Sequence, residues 1–313
     1  MQHMDRYGLI GNPISHSRSP ELFRAAYGGR HAYDLIEKES FSEAWQCFLQ
    51  DYKAINITTP FKTDAYAEVL RAAVDGKGSI SGPCLKTGAT NLVVRGEDGS
   101  LNAYNSDFSG VILAVAENCF PGLTAQCLDV WGARAHIKVH QFMKENIEEF
   151  YGRRPQALVI GCGGAGRAAA VATAEMGFAT ALMNRTPEKA QALASSLPEY
   201  GFICVPVSDL KGAFRECDLI VYTLPAALDG LDTLGNEDFI TDAEGLGKNV
   251  PKMVLEANYR SPSFTGDLAA RMNDSGCRYI PGQQWLLGQA VSGYALMTSV
   301  VPDAKAMAEA LSV

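Results

Sequence analysis

The sequence predicts an α/β protein of two domains, an N-terminal α/β domain and a Rossmann-like, doubly wound domain after it. Three observations support this fold class. Short β-rich runs alternate with longer helical patterns along most of the chain. The apolar run 157–160 leads directly into a glycine-rich turn. The 313 residues exceed what one hydrophobic core usually organises, so two domains are expected.

The composition excludes several classes of protein and partner. The chain has 27 Lys and Arg against 35 Asp and Glu, a net charge of −8, and no basic run, so we predict no nucleic-acid partner. No stretch approaches the roughly 20 apolar residues that span a bilayer, and the N-terminus lacks the pattern of a signal peptide, so no membrane partner is expected. Eight cysteines without a C-x-x-C pair indicate reduced thiols, and hence a cytoplasmic protein.

Strands and helices alternate through the first hundred residues. Strands are expected at 7–10, 32–36 and 54–58, and helices at 20–27 and 42–50. Ser42 is a candidate cap of the second helix. Pro60 is expected to open a third helix, because proline favours a first helical turn. This alternation predicts a parallel sheet with crossover helices.

The pattern changes between residues 90 and 155. Alternating apolar residues flank a turn at Asp98 and Gly99, which predicts a hairpin over 90–105. Asp107 follows at the start of an apolar helix. The segment 131–150 is expected to form one amphipathic helix.

The second half of the chain returns to strand–helix alternation. Strands are expected at 157–160, 179–183, 203–205, 219–223, 253–256 and 278–280. Beyond Gly282 the chain is expected to be helical, with a break at Pro302.

The glycine-rich turn carries the strongest functional signal. Gly161, Gly163 and Gly166 match the pattern G-x-G-x-x-G, with an apolar strand before them and an Ala-rich helix after them. Glycines allow a tight turn and let a pyrophosphate approach the backbone N–H groups at the helix N-terminus. The pattern in this context predicts a dinucleotide site.

The end of the next strand favours NADP over NAD. An NAD site usually places Asp or Glu about 20 residues after the turn, where it binds the ribose 2′-hydroxyl. Here the strand ends in Met183, Asn184, Arg185 and Thr186, with Lys189 one turn later and no acid. Arg185 offers a planar, bidentate donor that suits a 2′-phosphate. The alternative is that Arg185 and Lys189 form a solvated helix start.

Three polar clusters occupy the N-terminal half, at 15–19, 56–62 and 105–107. The first two follow predicted strands, at the carboxyl ends where parallel sheets bind ligands. Their hydroxyls, amides, Lys and Asp suit a small, hydroxylated, anionic substrate. His136 and His140 have helical i, i+4 spacing but no third ligand, so no metal site is predicted.

Seven motifs follow one another along nearly the whole chain. They are GNPISHSRSP (11–20), NITTPFK (56–62), GATN (88–91), NSD (105–107), GCGGAGRAA (161–169), NRT (184–186) and GQQWLLGQA (282–290). Together they resemble the shikimate dehydrogenase family. The resemblance implies an NADP-dependent oxidoreductase that transfers a hydride reversibly from NADPH to the ketone of 3-dehydroshikimate. The product is shikimate, an intermediate of aromatic amino-acid (chorismate) biosynthesis.

The resemblance also implies roles for individual residues. The catalytic pair is expected to be Lys62 and Asp107, with Lys62 donating a proton to the reduced oxygen. The substrate carboxylate is expected to bind Ser17 and Ser19, with Tyr259 nearby. The ring hydroxyls are expected to bind Thr58, Asn91 and Gln289, and Asn56 is also expected to contact the substrate. The cofactor pyrophosphate is expected to bind at Gly161, Gly163, Gly164 and Ala165. The 2′-phosphate is expected to bind at Asn184, Arg185, Thr186 and Lys189, and the nicotinamide to lie near Gly282. Taken alone, Asp107 could also be only a helix cap.

The resemblance divides the chain into two functional domains. Residues 1–110 and 283–313 are expected to form the substrate-binding and catalytic domain, and 111–282 the Rossmann NADP-binding domain, with the active site between them. The stretch between Asp107 and Gly161 is longer than in typical members, so an elaboration is expected around 118–153. The chain is expected to act as a monomer or a homodimer.

Two alternatives stay open at this point. A quinate/shikimate dehydrogenase of relaxed substrate or cofactor specificity would carry the same motifs, and the room near Ser17, Ser19 and Tyr259 would decide it. A non-catalytic ligand-sensing protein could keep the fold, although a sensor need not keep Lys62 and Asp107.

Overall fold

The computed structural model describes residues 5–240 and 250–311. These residues form two compact units. The first unit comprises 5–110, 127–135 and 287–311, and the second comprises 111–126, 136–240 and 250–286. Across the described ranges, no helix combines the length and the apolar character needed to cross a bilayer.

The first unit contains a mixed six-stranded sheet. Its strands are β1 (Arg6–Gly11), β2 (Ala32–Glu37), β3 (Ala54–Ile57), β4 (Gly78–Ile80), β5 (Leu92–Arg95) and β6 (Leu101–Tyr104). Their order is β2-β1-β3-β5-β6-β4. The predicted strands and hairpin are confirmed, but a parallel sheet is only partly right. Because the short turn between β5 and β6 cannot cross over the sheet, these two strands pair antiparallel. Strand β5 also pairs antiparallel with β3.

Thirteen α-helices surround the sheets in the described residues. They are α1 (Ser19–Tyr27), α2 (Phe41–Asp51), α3 (Lys62–Val74), α4 (Gly82–Thr87), α5 (Ser106–Cys119), α6 (Leu123–Trp131), α7 (Ala135–Tyr151), α8 (Gly164–Glu175), α9 (Pro187–Ser196), α10 (Leu210–Glu216), α11 (Gly266–Asp274), α12 (Gly282–Thr298) and α13 (Ala304–Leu311). The helical C-terminus predicted beyond Gly282 is confirmed, with Pro302 between α12 and α13.

Two predicted helix starts in the first unit are wrong. Ser40, not Ser42, caps α2: its backbone is extended, and its hydroxyl accepts from the backbone N–H of Glu43 at 3.3 Å. Pro60 does not open α3, which begins at Lys62. The N–H of Phe61 donates to the carbonyl of Thr58 at 3.0 Å, so a separate turn precedes the helix.

The core of the first unit lies between its sheet and helices α2 and α3. Trp45 and Phe48 of α2 and Val69 of α3 belong to one apolar cluster with Ile10 and Ile55 of the central strands. This packing fixes the sheet edge at which β1 and β3 end. Two of the three polar clusters found in the sequence lie at the ends of these strands, and the third follows β6.

The second unit contains a six-stranded, entirely parallel sheet. Its strands are β7 (Gln156–Ile160), β8 (Ala179–Met183), β9 (Ile203–Cys204), β10 (Leu219–Tyr222), β11 (Met253–Glu256) and β12 (Arg278–Ile280), in the order β12-β11-β10-β7-β8-β9. All six predicted strands are confirmed to within a residue. The chain runs from β7 outward to β9 and then returns to β10 beside β7. Such a reversal of strand order leaves a crevice at the carboxyl ends of β7 and β10.

The prediction of one helix over 131–150 is wrong. Helix α6 ends at Trp131, a 3₁₀ turn covers Gly132–Arg134, and α7 begins at Ala135. Gly132 has a φ of 54°, in the left-handed region that a continuous right-handed helix cannot include. The apolar periodicity continues across this break, which is why the sequence pattern did not reveal it.

Candidate active site

Lys62 and Asp107 form an ion pair in the first unit. Lys62 is the first residue of α3, and Asp107 lies in the first turn of α5. The Lys62 Nζ lies 2.5 Å from Asp107 Oδ2, and the two side chains are 23% and 10% exposed. The pair is therefore largely withdrawn from water, although part of the Lys62 side chain stays exposed. Two residues that are 45 positions apart in the sequence meet here, as the family resemblance implied.

Asn91 holds the other oxygen of the same carboxylate. Its Nδ2 donates to Asp107 Oδ1 at 2.9 Å and to Ser106 Oγ at 3.0 Å, while its Oδ1 accepts from the backbone N–H of Ser106 at 2.7 Å. Asn91 is only 5% exposed. Each oxygen of Asp107 thus accepts from a fixed donor of the protein, which orients the carboxylate toward Lys62.

Asp107 does not serve as the helix cap. The cap of α5 is Asn105, whose Oδ1 accepts from the backbone N–H of Phe108 at 3.3 Å. The carboxylate of Asp107 is consequently directed to Lys62 and Asn91. The alternative prediction, that Asp107 is only a helix cap, is therefore wrong.

Ser17 and Ser19 lie together at the start of α1. The Ser17 hydroxyl donates to Ser19 Oγ at 3.1 Å and accepts from the backbone N–H of Ser19 at 3.2 Å. Both side chains are partly exposed. Two hydroxyls beside a helix N-terminus can bind a carboxylate, because the N–H groups and the helix dipole favour an anion there.

Asn56 is linked by hydrogen bonds to Asn91 and to Tyr33. Asn56, on β3, donates Nδ2 to the carbonyl of Asn91 at 3.4 Å and accepts from the Tyr33 hydroxyl at 2.8 Å. Thr58 follows β3, and its N–H donates to the carbonyl of Ile10 at 2.9 Å. Burial raises the pKa of Tyr33 well above its ordinary value, so its hydroxyl remains a proton donor. The sequence reasoning missed Tyr33, because a tyrosine in a strand resembles an ordinary core residue.

Gln289 lies on α12, in the portion that belongs to the first unit. One turn later, Gly293 packs against the start of α5: a Cβ there would lie 3.2 Å from Ser106 Oγ. This close approach brings the helix that carries Gln289 against the turn that carries Asp107. Gln289 itself is partly exposed.

The glycine turn of the second unit is shaped to admit a ligand. Gly161 has a φ of 103°, and a Cβ on Gly166 would lie 1.8 Å from the carbonyl oxygen of Gly161. These two positions therefore need glycine for the fold. A Cβ on Gly163 or Gly164 would meet no atom within 4 Å. With Ala165 they form the N-terminus of α8, where open space and backbone N–H groups suit an anionic group.

Thr223, which follows β10, supports this turn and was missed in the sequence. Its Oγ1 donates to the carbonyls of Ile160 at 3.0 Å and Gly161 at 3.3 Å. A Cβ on Gly161 would come within 2.4 Å of that hydroxyl. A lone threonine after a strand carries no recognisable signal, so only the fold reveals this contact.

The residues after β8 lie beside the glycine turn. Asn184 accepts from the N–H of Cys162 at 3.0 Å and donates to the carbonyl of Thr186 at 2.9 Å, so its amide links the turn to the end of β8. Arg185, Thr186 and Lys189 are exposed. Two cations and a hydroxyl stand where a 2′-phosphate would approach, and no acid follows β8 before Glu188.

Two further predicted residues lie in the second unit. Tyr259 is in the loop after β11 and is partly exposed, with Arg260 Cζ 6.0 Å from the centre of its ring. Gly282 begins α12, where a Cβ would lie 2.5 Å from the carbonyl oxygen of Ala257. This close approach explains the glycine by packing alone. The predicted contacts of Tyr259 with a carboxylate and of Gly282 with a nicotinamide stay predictions.

The second histidine of the elaboration takes part in packing. His140 Nε2 lies 3.3 Å from the carbonyl oxygen of Glu175, and burial lowers the pKa of the imidazole. Within 5–240 and 250–311, no three His, Cys, Asp or Glu side chains gather as a metal site would require.

Comparison with known proteins matches both units of the chain. Residues 9–77 match the shikimate dehydrogenase substrate binding domain, and residues 143–228 match shikimate / quinate 5-dehydrogenase. A shikimate dehydrogenase (NADP(+)) of Rubrobacter xylanophilus is 30% identical over 97% of this chain and 94% of its own length. The pentafunctional AROM polypeptide of Lachancea thermotolerans is 28% identical over 93% of this chain, which spans only 16% of that polypeptide.

A solved structure shares the fold. The shikimate 5-dehydrogenase of Thermus thermophilus, in complex with NADP(H) and shikimate, is 25% identical, with a TM-score of 0.72 over 99% of each chain. Fold and site thus define an α/β dehydrogenase with a dinucleotide turn and a separate lysine–aspartate site. The relatives identify it further: the chain belongs to the shikimate dehydrogenase family.

Proposed function

We propose that the chain is an NADP-dependent shikimate dehydrogenase that reduces the ketone of 3-dehydroshikimate reversibly to the alcohol of shikimate. One observation carries the proposal: an ammonium and a carboxylate, 2.5 Å apart, stand on two helix starts with Asn91 fixing the carboxylate. Reduction of a ketone by hydride leaves negative charge on oxygen. A positioned ammonium can stabilise that charge and supply the proton.

Lys62 and Asp107 act as the catalytic pair. Lys62 Nζ donates its proton to the oxygen during reduction and takes it back during oxidation of shikimate. Asp107 holds the ammonium in place through its Oδ2, and Asn91 prevents the carboxylate from rotating away. The limited exposure of both side chains strengthens these charge interactions, because less water screens them.

Substrate recognition is assigned to the polar groups around this pair. Ser17 and Ser19 bind the carboxylate, with Tyr259 nearby. Asn56, Thr58, Asn91 and Gln289 bind ring hydroxyls. The hydrogen bonds that join Asn56 to Asn91 and Asn91 to Asp107 support this assignment, since they connect hydroxyl-binding amides to the acid.

The second unit fits NADP. When bound, NADPH supplies the hydride. The open space at Gly163 and Gly164 fits a pyrophosphate beside Gly161 and Ala165, and the end of β8 fits the 2′-phosphate. Asn184, Arg185, Thr186 and Lys189 hold that phosphate, and Gly282 lies near the nicotinamide.

The domain assignment follows from these sites. We propose that residues 1–110 and 283–313 carry substrate binding and catalysis, and that residues 111–282 carry NADP binding, with an elaboration around 118–153. The compact units differ from this division at 127–135 and 283–286. The enzyme works in the cytoplasm, in aromatic amino-acid biosynthesis, as a monomer or a homodimer.

A steady-state assay tests the proposed function and both alternatives together. The purified chain is assayed for oxidation of shikimate and of quinate, each with NADP and with NAD. The proposal predicts the highest kcat/KM for shikimate with NADP. Comparable values with quinate or NAD would instead identify an enzyme of relaxed specificity. Binding of shikimate without turnover in any arm would identify a ligand sensor.

A further inference from the structure

We propose that Asn105 is a positioning residue for the catalytic pair, a role that rests on the proposed function. Asn105 is 6% exposed and precedes α5 directly. Its side-chain amide bonds to Phe108, Thr87 and Ala89, and so joins the two segments that deliver Asp107 and Asn91.

One half of the amide fixes the first turn of α5. The Oδ1 of Asn105 accepts from the backbone N–H of Phe108 at 3.3 Å, which is the bond of an N-cap residue to the third helical position. Asp107 lies between these two residues. Its backbone direction, and hence the direction of its carboxylate, depends on this cap.

The other half of the amide fixes the loop between α4 and β5. The Nδ2 of Asn105 donates to Thr87 Oγ1 at 3.0 Å and to the carbonyl of Ala89 at 3.3 Å. Thr87 is 4% exposed, and its hydroxyl donates to the carbonyl of Pro83 at 2.8 Å. The loop is therefore anchored to α4 on one side and to Asn105 on the other.

That loop in turn contacts both members of the pair. The N–H of Thr90 donates to the backbone carbonyl of Lys62 at 3.2 Å, and Asn91 donates to Asp107 Oδ1 at 2.9 Å. The Asn105 side chain thus connects the start of α5 with the loop that contacts Lys62 and Asp107. A displacement of about 1 Å in a catalytic group can cost roughly a hundredfold in rate, so loss of this bridge is expected to slow the chemical step.

The variant Asn105→Ser removes the bridge to the loop but keeps the helix cap. Serine is a good N-cap, so the helix start keeps an acceptor, but the bridge to Thr87 and Ala89 is lost. We expect kcat for shikimate oxidation to fall by about 10- to 100-fold. We expect KM for NADP to stay unchanged, and the primary isotope effect on kcat with deuterated shikimate to rise. In a crystal structure of the variant, the contact between Lys62 Nζ and Asp107 Oδ2 is expected to be broken.

The control is Ser40→Ala, which removes the cap of α2 in the same unit. Loss of that cap is expected to lower the Tm by about 2–4 °C without changing kcat. If Asn105→Ser fails to fold, Thr87→Val removes one acceptor of the bridge instead and is expected to lower kcat in the same way. A variant with wild-type kcat and an intact pair would overturn the inference. Absence of shikimate activity in the unaltered enzyme would overturn the proposed function, and the crystal structure would still decide the positioning role.

Discussion

Arg185 is the residue expected to distinguish the two dinucleotides. It is exposed at the end of β8, with Thr186 and Lys189 beside it and no acid before Glu188. Arg185→Asp replaces a donor for the 2′-phosphate by a repelling charge. A charge-assisted hydrogen bond contributes roughly 1.5–3 kcal/mol, so KM for NADPH should rise by about 10- to 100-fold. KM for NADH should change little, because NADH lacks that phosphate.

The control is another replacement of Arg by Asp, at a different place in the second unit. Arg154 is exposed and precedes β7, at the sheet edge opposite the glycine turn. Arg154→Asp should leave both Michaelis constants unchanged in the same steady-state assay. An equal rise of the two constants in Arg185→Asp would contradict a 2′-phosphate contact.

Lys252 is a buried cation whose charge should make stability depend on pH. It is 1% exposed, and its ammonium donates to the carbonyls of Phe214 and Arg215 at the end of α10. Burial lowers the pKa of Lys252 to about 8 from its ordinary value of 10.5. Between these two values the unfolded chain binds more protons than the folded one, so this group makes stability rise with pH.

Lys252→Met isolates this effect. The free energy of unfolding of the wild type, relative to the variant, should rise by up to about 3 kcal/mol between pH 8 and pH 10.5, and stay constant from pH 6 to pH 8. Urea unfolding of both proteins across this range measures the difference. A difference that does not change with pH would show that the amine is not forced toward its neutral form in the fold.

At the scale of the element, the turn between β7 and α8 uses its glycines for two different purposes. A Cβ on Gly166 would strike the carbonyl oxygen of Gly161, whereas a Cβ on Gly163 would meet nothing within 4 Å. Gly166→Ala should therefore lower the free energy of unfolding by about 1–3 kcal/mol, because α8 must move away from β7.

Gly163→Ala is the matched variant. Its φ of −78° suits alanine, but Gly163 is the N-cap of α8, so stability should fall less than in Gly166→Ala. The added methyl group would occupy the open space at this N-terminus, so affinity for NADP should fall. Chemical unfolding and a fluorescence titration with NADPH measure the two quantities. A loss of stability in Gly163→Ala as large as that in Gly166→Ala, or unchanged NADP affinity, would contradict the assigned geometry.

The sequence predicted long, regular elements well and their boundaries less well. Strands β7, β10 and β11 follow from apolar runs, because a strand buried on both faces needs apolar residues at nearly every position. Ser40 and Ser42 are chemically equivalent caps, and only the backbone direction selects Ser40. The break at Gly132 also escaped prediction, because the apolar periodicity continues through it.

Only some residues of the site could be predicted from the sequence. Lys62, Asn91 and Asp107 belong to motifs that resemble a family, and the fold joins them by hydrogen bonds. Tyr33, Asn105 and Thr223 act through contacts that only the folded chain creates. A polar residue that supports another residue has no spacing pattern of its own, so sequence reasoning could not assign these roles.

At the scale of the whole molecule, the chain has two units with separate apolar cores. One apolar cluster contains Ile10, Ile55 and Phe48, and another contains Ile220 and Val254. The family matches at 9–77 and 143–228 fall one in each unit. We propose that substrate chemistry belongs to the first unit and dinucleotide binding to the second, so proton-transfer variants should leave NADP affinity intact.

The most direct test of this account is the rate of shikimate oxidation by Lys62→Ala. Without the ammonium, kcat should fall by about 10²- to 10⁴-fold, because general acid–base catalysis contributes roughly that much. Shikimate and NADP should still bind in equilibrium titrations. Lys53→Ala, which removes an exposed lysine paired with Asp5 in the same unit, should keep the wild-type kcat. Turnover of Lys62→Ala at the wild-type rate would contradict the central claim that Lys62 transfers the proton.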